Sequence, residues 1–222
     1  MDNKNPKLEA LKEEISLNLG LPLYGDANLV FGEGNADAEV LFIGEAPGFH
    51  EDRLGRPFVG QAGKLLDKLI AAIGWRREDV YITNIVKRRP PENRDPLPEE
   101  IAAYKPFLDE QIKIIKPKII ATLGRFSMNV FLPDAKISRD HGVPKYADGC
   151  LIVPLYHPAA ALRATAVLKE LENDFKRLPE IIKNPPSPSP NVSTDKSKDA
   201  SPLPWAKKKG PSSAEDFQDK LF

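Results

Sequence analysis

Val40-Leu41-Phe42-Ile43-Gly44-Glu45-Ala46-Pro47-Gly48 decides how this chain folds. The run from Val40 to Ile43 is too apolar for an edge strand and reads as a strand buried on both faces of a parallel sheet. In open α/β sheets the ligand lies just past the carboxyl ends of such strands. The turn at that place is built from Gly44, Pro47 and Gly48, so bare backbone N–H groups can come close to a ligand. The chain then continues Glu51-Asp52-Arg53-Leu54-Gly55-Arg56-Pro57-Phe58-Val59-Gly60. The Phe58 ring, flanked by Pro57 and Gly60, offers a flat surface on which a ligand could stack. This stretch points to a flat ring as ligand, rather than a phosphate.

The pattern on either side alternates strand and helix. Leu8, Leu11, Ile15 and Leu19 recur at helical spacing over 7–19, and 28–31 reads as a short strand ending at Gly32. A helix is predicted over 61–73, closed by Gly74, and a strand over 80–86. Pro98-Glu99-Glu100 opens a further helix, 119–123 is a strand, 151–155 is a strand delivering Tyr156-His157-Pro158, and 166–182 is the last helix. Such alternation predicts an α/β fold, a parallel sheet covered by helices on both faces.

Composition narrows the class. The 222 residues carry zero formal charge, which excludes a strongly basic nucleic-acid binder and leaves only a local patch. Lys87, Arg88, Arg89 and Arg94 are the densest candidate, the alternative being a solvated basic loop. Residues 184–222 hold seven of the 22 prolines, with Ser, Lys and Asp between them, and cannot bury enough apolar surface to offset their ordering entropy. The expected organisation is a globular domain over 1–183, a disordered Pro/Ser/Lys-rich linker over 184–216 and a terminal peptide over 217–222. Cys150 is the single cysteine, so an internal disulfide and a multi-thiolate zinc site are excluded. No signal peptide or membrane span is recognisable, and a soluble intracellular monomer is expected.

Three strand ends bring polar groups to the ligand side of the sheet: Glu45, Thr83-Asn84 and His157. With Phe58 they describe a pocket holding an aromatic plate, an amide that both donates and accepts, and an imidazole donor. An amide reads the edge of a pyrimidine, a ring stacks on its face, and an imidazole stabilises an anionic leaving group. Removal of a base from its sugar after it has been flipped out of a duplex requires these groups.

The ordered motifs Gly44-Glu-Ala-Pro-Gly48, Glu51-Asp52, Gly55-Arg-Pro-Phe-Val-Gly60, Ile82-Thr-Asn84, Arg89-Pro-Pro-Glu-Asn93-Arg94, Pro98-Glu-Glu100 and His157-Pro158 closely resemble the family-4 (type-4) uracil-DNA glycosylases. The resemblance runs from Leu8 to Ile182. It implies a three-layer α/β/α sandwich on a four-stranded, mostly parallel sheet, and hydrolysis of the N-glycosidic bond of deoxyuridine in single- or double-stranded DNA. By the same resemblance Phe58 stacks on the flipped uracil and Asn84 pairs with its edge. Glu45, Ala46 and Gly48 line the pocket, and His157 hydrogen-bonds the uracil O2 as negative charge develops. Glu51 and Asn93 are the candidates for holding the attacking water. Leu162 is a candidate wedge for the base stack, the alternative being a helix core leucine.

The chain departs from that family in one respect. Its members carry a four-iron, four-sulfur cluster on four cysteines, and the corresponding positions here are Asn18, Leu21, Arg88 and Tyr104. Four thiolates are the normal requirement, so no cluster and no other cofactor or metal is expected. Arg88 stacked on Tyr104 is the expected substitute, tying the N-terminal segment to the loop 87–94. At the far end, Gln218-Asp219-Lys220-Leu221-Phe222 resembles the peptide with which bacterial repair proteins dock on the sliding clamp. The linker before it would span roughly 30–35 Å as a flexible coil. Two other readings stay open: a catalytically silent DNA-binding relative recruited to the clamp, and a nucleotide-binding enzyme. The second is weakened by the lack of a phosphate-loop motif.

Overall fold

The computed structural model describes residues 3–187. The expectations for Gln218, Leu221 and Phe222, and for the linker beyond residue 187, lie outside the described residues. In chain order the elements are α1 (Lys4–Leu17), β1 (Glu33–Gly34), β2 (Val40–Gly44), α2 (Phe49–Leu54), α3 (Gln61–Ala72), β3 (Tyr81–Asn84), α4 (Pro98–Ile115), β4 (Ile119–Leu123), α5 (Arg125–Phe131), α6 (Ile137–Asp140), β5 (Lys145–Ala147), β6 (Cys150–Leu155), α7 (Pro158–Ala161) and α8 (Thr165–Lys183). One sheet of six strands runs in the order β1-β3-β2-β4-β6-β5. The four strands β3, β2, β4 and β6 are parallel, and β1 and β5 add antiparallel edges. The expected sheet of four is therefore the parallel centre of a larger one.

Period-two alternation in the central strands divides the core. Val40 and Phe42 of β2 face α3 and α8, where the Phe42 and Phe175 rings stack at 5.6 Å. Leu41 and Ile43 face the opposite layer with α1 and α4. Both faces of β2 and β4 are fully covered, which is why β2 reads as an apolar run and β4 is interrupted only by the buried Thr122. No helix among the described residues is long and apolar enough to cross a membrane.

Two local readings need correction. The edge strand is Glu33–Gly34 and not residues 28–31. In the earlier stretch the Phe31 carbonyl accepts from Thr83 Oγ1 (2.8 Å) and Gln111 Nε2 (3.0 Å), so side chains take the place of ladder bonds. The hairpin of β5 and β6 turns on Asp148 and Gly149, whose φ angles of 48° and 76° fit a two-residue primed turn.

Lys87 is the other correction: it is not a DNA-facing cation. It is 0 % exposed, and its Nζ donates to Thr83 Oγ1 (2.7 Å), the Asn84 carbonyl (2.7 Å) and Gln111 Oε1 (2.5 Å). Burial pulls its pKa well below the ordinary lysine value. Against that, all three partners act as acceptors, because Thr83 gives its own proton to Phe31. Only an ammonium supplies three N–H groups, so the hydrogen bonds hold the charged form. The side chain fastens the end of β3, and with it Asn84, to α4. Lys87→Met should leave those acceptors unsatisfied and lower stability in urea unfolding by on the order of 2–4 kcal/mol. An unchanged unfolding midpoint would contradict this reading.

Candidate active site

A cleft of about 470 Å³ opens where β2, β3 and β6 end. Its wall contains Glu45, Ala46, Gly48, Glu51, Phe58, Asn84, Asn93, Arg94 and His157, so residues named from separate motifs meet in one cavity. Parallel pairing explains the meeting. Gly44 lies opposite Asn84 in the β2–β3 register, so the strands end level and the following turns face each other.

Phe58 is held in an unfavourable backbone conformation, with φ at 51°. A non-glycine residue there costs about 1–3 kcal/mol unless its surroundings enforce it. Glu51 Oε1 accepts from the N–H groups of Val59 (2.9 Å) and Gly60 (2.8 Å), fixing the turn from one side. Arg77 donates to the carbonyls of Pro57 (2.5 Å) and Phe58 (3.3 Å) from the other side. Arg77 is itself anchored by Asp67 and Glu33. The ring set by this clamp lies 5.7 Å from the His157 ring, tilted by 32°. It also passes over Gly44, where a Cβ would fall 2.5 Å from the ring and would meet Asn84 Oδ1 as well.

Asn84 ends β3 with a buried Oδ1 that has no hydrogen-bond partner among the described residues. A buried amide left unsatisfied inside a cleft is poised for an incoming donor. His157 caps α7, and its Nδ1 accepts from the Ala159 N–H at 3.1 Å. That bond assigns the proton to Nε2. Burial pushes its pKa down to about 4, against the opposing charge of Glu51, so the ring is neutral at physiological pH. Gly124 makes room for it, since a Cβ there would lie 3.0 Å from His157 Cβ. Burial, reinforced by Asp95 and opposed by Arg125, raises Glu45 to about 7. Asp95 and Arg125 form an ion pair at 2.8 Å and were not singled out in the sequence, because neither sits in an informative motif.

Asn93 lines the cleft with its Oδ1 accepting from Arg89 Nε at 2.7 Å. Arg94 also lines it, and grips Glu100 with two hydrogen bonds of 2.9 and 2.6 Å. Leu162 follows α7 and is 53 % exposed, which removes the core alternative; its neighbour Arg163 lines the cleft. Arg88 is a correction. It is buried, donates to the Ala27 carbonyl (2.7 Å) and stacks on Tyr24 at 4.9 Å, with no free face for DNA.

Arg88 and Tyr104 are neighbours as expected, with the guanidinium within hydrogen-bonding reach of the phenol, but the stack itself is made on Tyr24. Tyr104 donates its hydroxyl to the Pro22 carbonyl at 2.7 Å, while the Arg88 guanidinium lies over Tyr24. Burial raises the Tyr104 pKa to about 12, with the nearby Arg88 pulling the other way. Asn18 Oδ1 accepts from the Gly20 N–H, and Leu21 is buried beside α1. A cation, a phenol, an amide and an aliphatic chain do not fit an iron–sulfur cluster, which requires thiolates. No group of three or more His, Cys, Asp or Glu side chains that could hold a metal ion occurs among the described residues.

Comparison with known proteins gives the family. A family model described as the uracil DNA glycosylase superfamily matches residues 31–178. The chain is 48 % identical over 189 residues to a type-4 uracil-DNA glycosylase of Sulfurisphaera tokodaii, covering 80 % of this chain and 86 % of that protein. It is 47 % identical over 163 residues to one of Archaeoglobus fulgidus, with 69 % and 82 % covered. It is 44 % identical over 167 residues to one of Thermotoga maritima, with 73 % and 87 % covered.

The packing over Gly44 gives a direct test of the site. Gly44→Ala should push both the Phe58 ring and the Asn84 amide aside. Thermal unfolding should show a loss of about 1–3 kcal/mol. The affinity for free uracil, measured by calorimetry, should fall about tenfold or more, equivalent to about 1.4 kcal/mol. Unchanged stability and affinity would contradict the described packing.

Proposed function

This chain belongs to the type-4 branch of the uracil-DNA glycosylase superfamily, and from that premise and the cleft's geometry we propose that it hydrolyses the N-glycosidic bond of deoxyuridine in DNA. The base is read after it has left the stack, since Phe58 and Asn84 are buried and out of reach of a base still paired in a duplex. The observation that carries this reading is the convergence of Phe58, Asn84 and His157 in one cavity. The plate stacks on the pyrimidine. The unsatisfied Asn84 Oδ1 accepts from uracil N3–H while its Nδ2 donates to O4, and cytosine presents the reverse pattern there.

Departure of the base leaves negative charge on its O2. A neutral His157 with its proton on Nε2 donates to that oxygen, preorganised by the Ala159 hydrogen bond. Such a donor is worth on the order of 3–4 kcal/mol in the transition state. A cationic imidazole is not needed, and burial disfavours one. On the sugar side positive charge builds up and water attacks. Glu51 Oε1 is committed to the Val59 and Gly60 N–H groups, so its first task is to hold Phe58. Glu45, with a pKa of about 7, is the carboxylate available to stabilise the sugar cation and orient the water. Asn93 lies in the same wall and assists in holding that water. The lack of thiolates at Asn18, Leu21, Arg88 and Tyr104 is what supports the reading that catalysis proceeds without a cluster. Leu162 fills the gap left by the flipped base, and the peptide 218–222 carries the enzyme on a clamp.

Incubation with a uracil-containing oligonucleotide followed by alkali should give a strand break at uracil and none at cytosine. The ionised form of Glu45 is the active one, so kcat/KM should rise with pH through about 7. That limb should vanish in Glu45→Gln. No break at uracil would favour the silent DNA-binding relative, and a limb that persists in the variant would remove Glu45 from its role.

A further inference from the structure

Phe49 is the first residue of α2 and directly follows the cleft-lining Gly48. Its ring is 47 % exposed and belongs to neither core layer. Two guanidinium groups flank it, Arg53 at 5.6 Å from the same helix and Arg89 at 5.3 Å from the loop after β3. Arg89 is tied through its Nε to Asn93, and Asn93 lines the cleft. The ring is thus fixed at the cleft mouth by cations, not by apolar packing. Among the described residues no carboxylate forms an ion pair with Arg53 or Arg89. Two unneutralised positive charges around one exposed aromatic face suit a polyanion carrying flat rings. A base stacks on the ring while its phosphates meet the guanidinium groups.

We propose that Phe49, held by Arg53 and Arg89, is a stacking platform for the nucleotide next to the extruded uridine, so that the enzyme grips two successive bases of an unpaired strand. This rests on the uracil-excision reading above and extends it to how the flanking strand is held. Stacking of this kind is tolerant of base identity, since every base has a π-face. The platform therefore adds affinity without sequence preference, and favours unpaired over duplex DNA, where the neighbouring base is already stacked.

The test uses single-stranded oligonucleotides carrying an uncleavable 2′-fluorinated uridine with 2-aminopurine on its 5′ or its 3′ side. The wild-type chain should quench the 2-aminopurine on one side. Phe49→Ala and Phe49→Leu should both abolish that quenching and weaken binding about tenfold. Phe49→Trp should restore both. With a cleavable strand the loss should fall on KM rather than on kcat. Arg53→Gln and Arg89→Gln should each reduce the slope of log affinity against log salt by roughly 0.7, as for one lost phosphate contact on a single strand. Wild-type quenching and affinity in Phe49→Ala, with uracil still excised, would overturn the platform and leave the parent reading intact. Tight binding by Phe49→Leu would show that bulk rather than stacking matters, and would also overturn it. Failure of the wild-type chain to excise uracil would bring down both.

Discussion

One carboxylate oxygen organises the cleft. Glu51 Oε1 accepts the N–H groups of Val59 and Gly60, and between them and Arg77 the backbone of Phe58 is held in the left-handed region. Without that pair of anchors the turn would relax and the ring would leave its place over Gly44. The strain is small against the free energy of folding, but it is spent at the point where a flat ligand would lie. The Glu51-Asp52 pair thus explains itself as architecture: Glu51 reaches forward to the Phe58 turn, while Asp52 reaches back, its Oδ1 accepting the Asn28 N–H at 2.7 Å. One short helix ties both neighbouring loops.

Electrostatics then separates the roles. His157 and Glu45 stand in the same cleft, yet burial moves them in opposite directions, the imidazole down to about 4 and the carboxyl up to about 7. Each shift favours the uncharged form, as removal from water must. The result is a neutral imidazole donor and a carboxyl that ionises near neutrality in one cleft. Beneath them Lys87 places a hydrogen-bonded ammonium under the carbonyl of Asn84. The Asn84 backbone is therefore held by strand register on one side and by a buried cation on the other.

Much of this was legible in the sequence, for identifiable reasons. The run of β2 has no polar residue to offer solvent, and that of β4 has only Thr122, so doubly covered parallel strands suit them. Glycines and prolines after β2 mark a ligand turn because their backbone properties are local. What depends on long-range contacts was not legible. Whether Lys87 faces solvent is decided by Thr83 and Gln111, the latter 24 residues away, and a run of Lys87-Arg88-Arg89 looks basic whichever way its members point. Arg88 stacks on Tyr24 while keeping Tyr104 as a polar neighbour, because the loop 22–27 folds across it. The β5–β6 hairpin is different: Asp148-Gly149 is a recognisable turn pair, but the three-residue strand before it is too short to stand out beside the stronger one that follows.

The central claim is that Phe58, Asn84 and His157 form one receptor for an extruded uracil. A crystal structure of this protein with free uracil bound tests it most directly. The base should lie stacked on the Phe58 ring, with Asn84 at its N3 and O4 edge and His157 Nε2 within hydrogen-bond distance of O2. Uracil bound elsewhere, or lying in the cleft with O2 turned away from His157, would contradict the account.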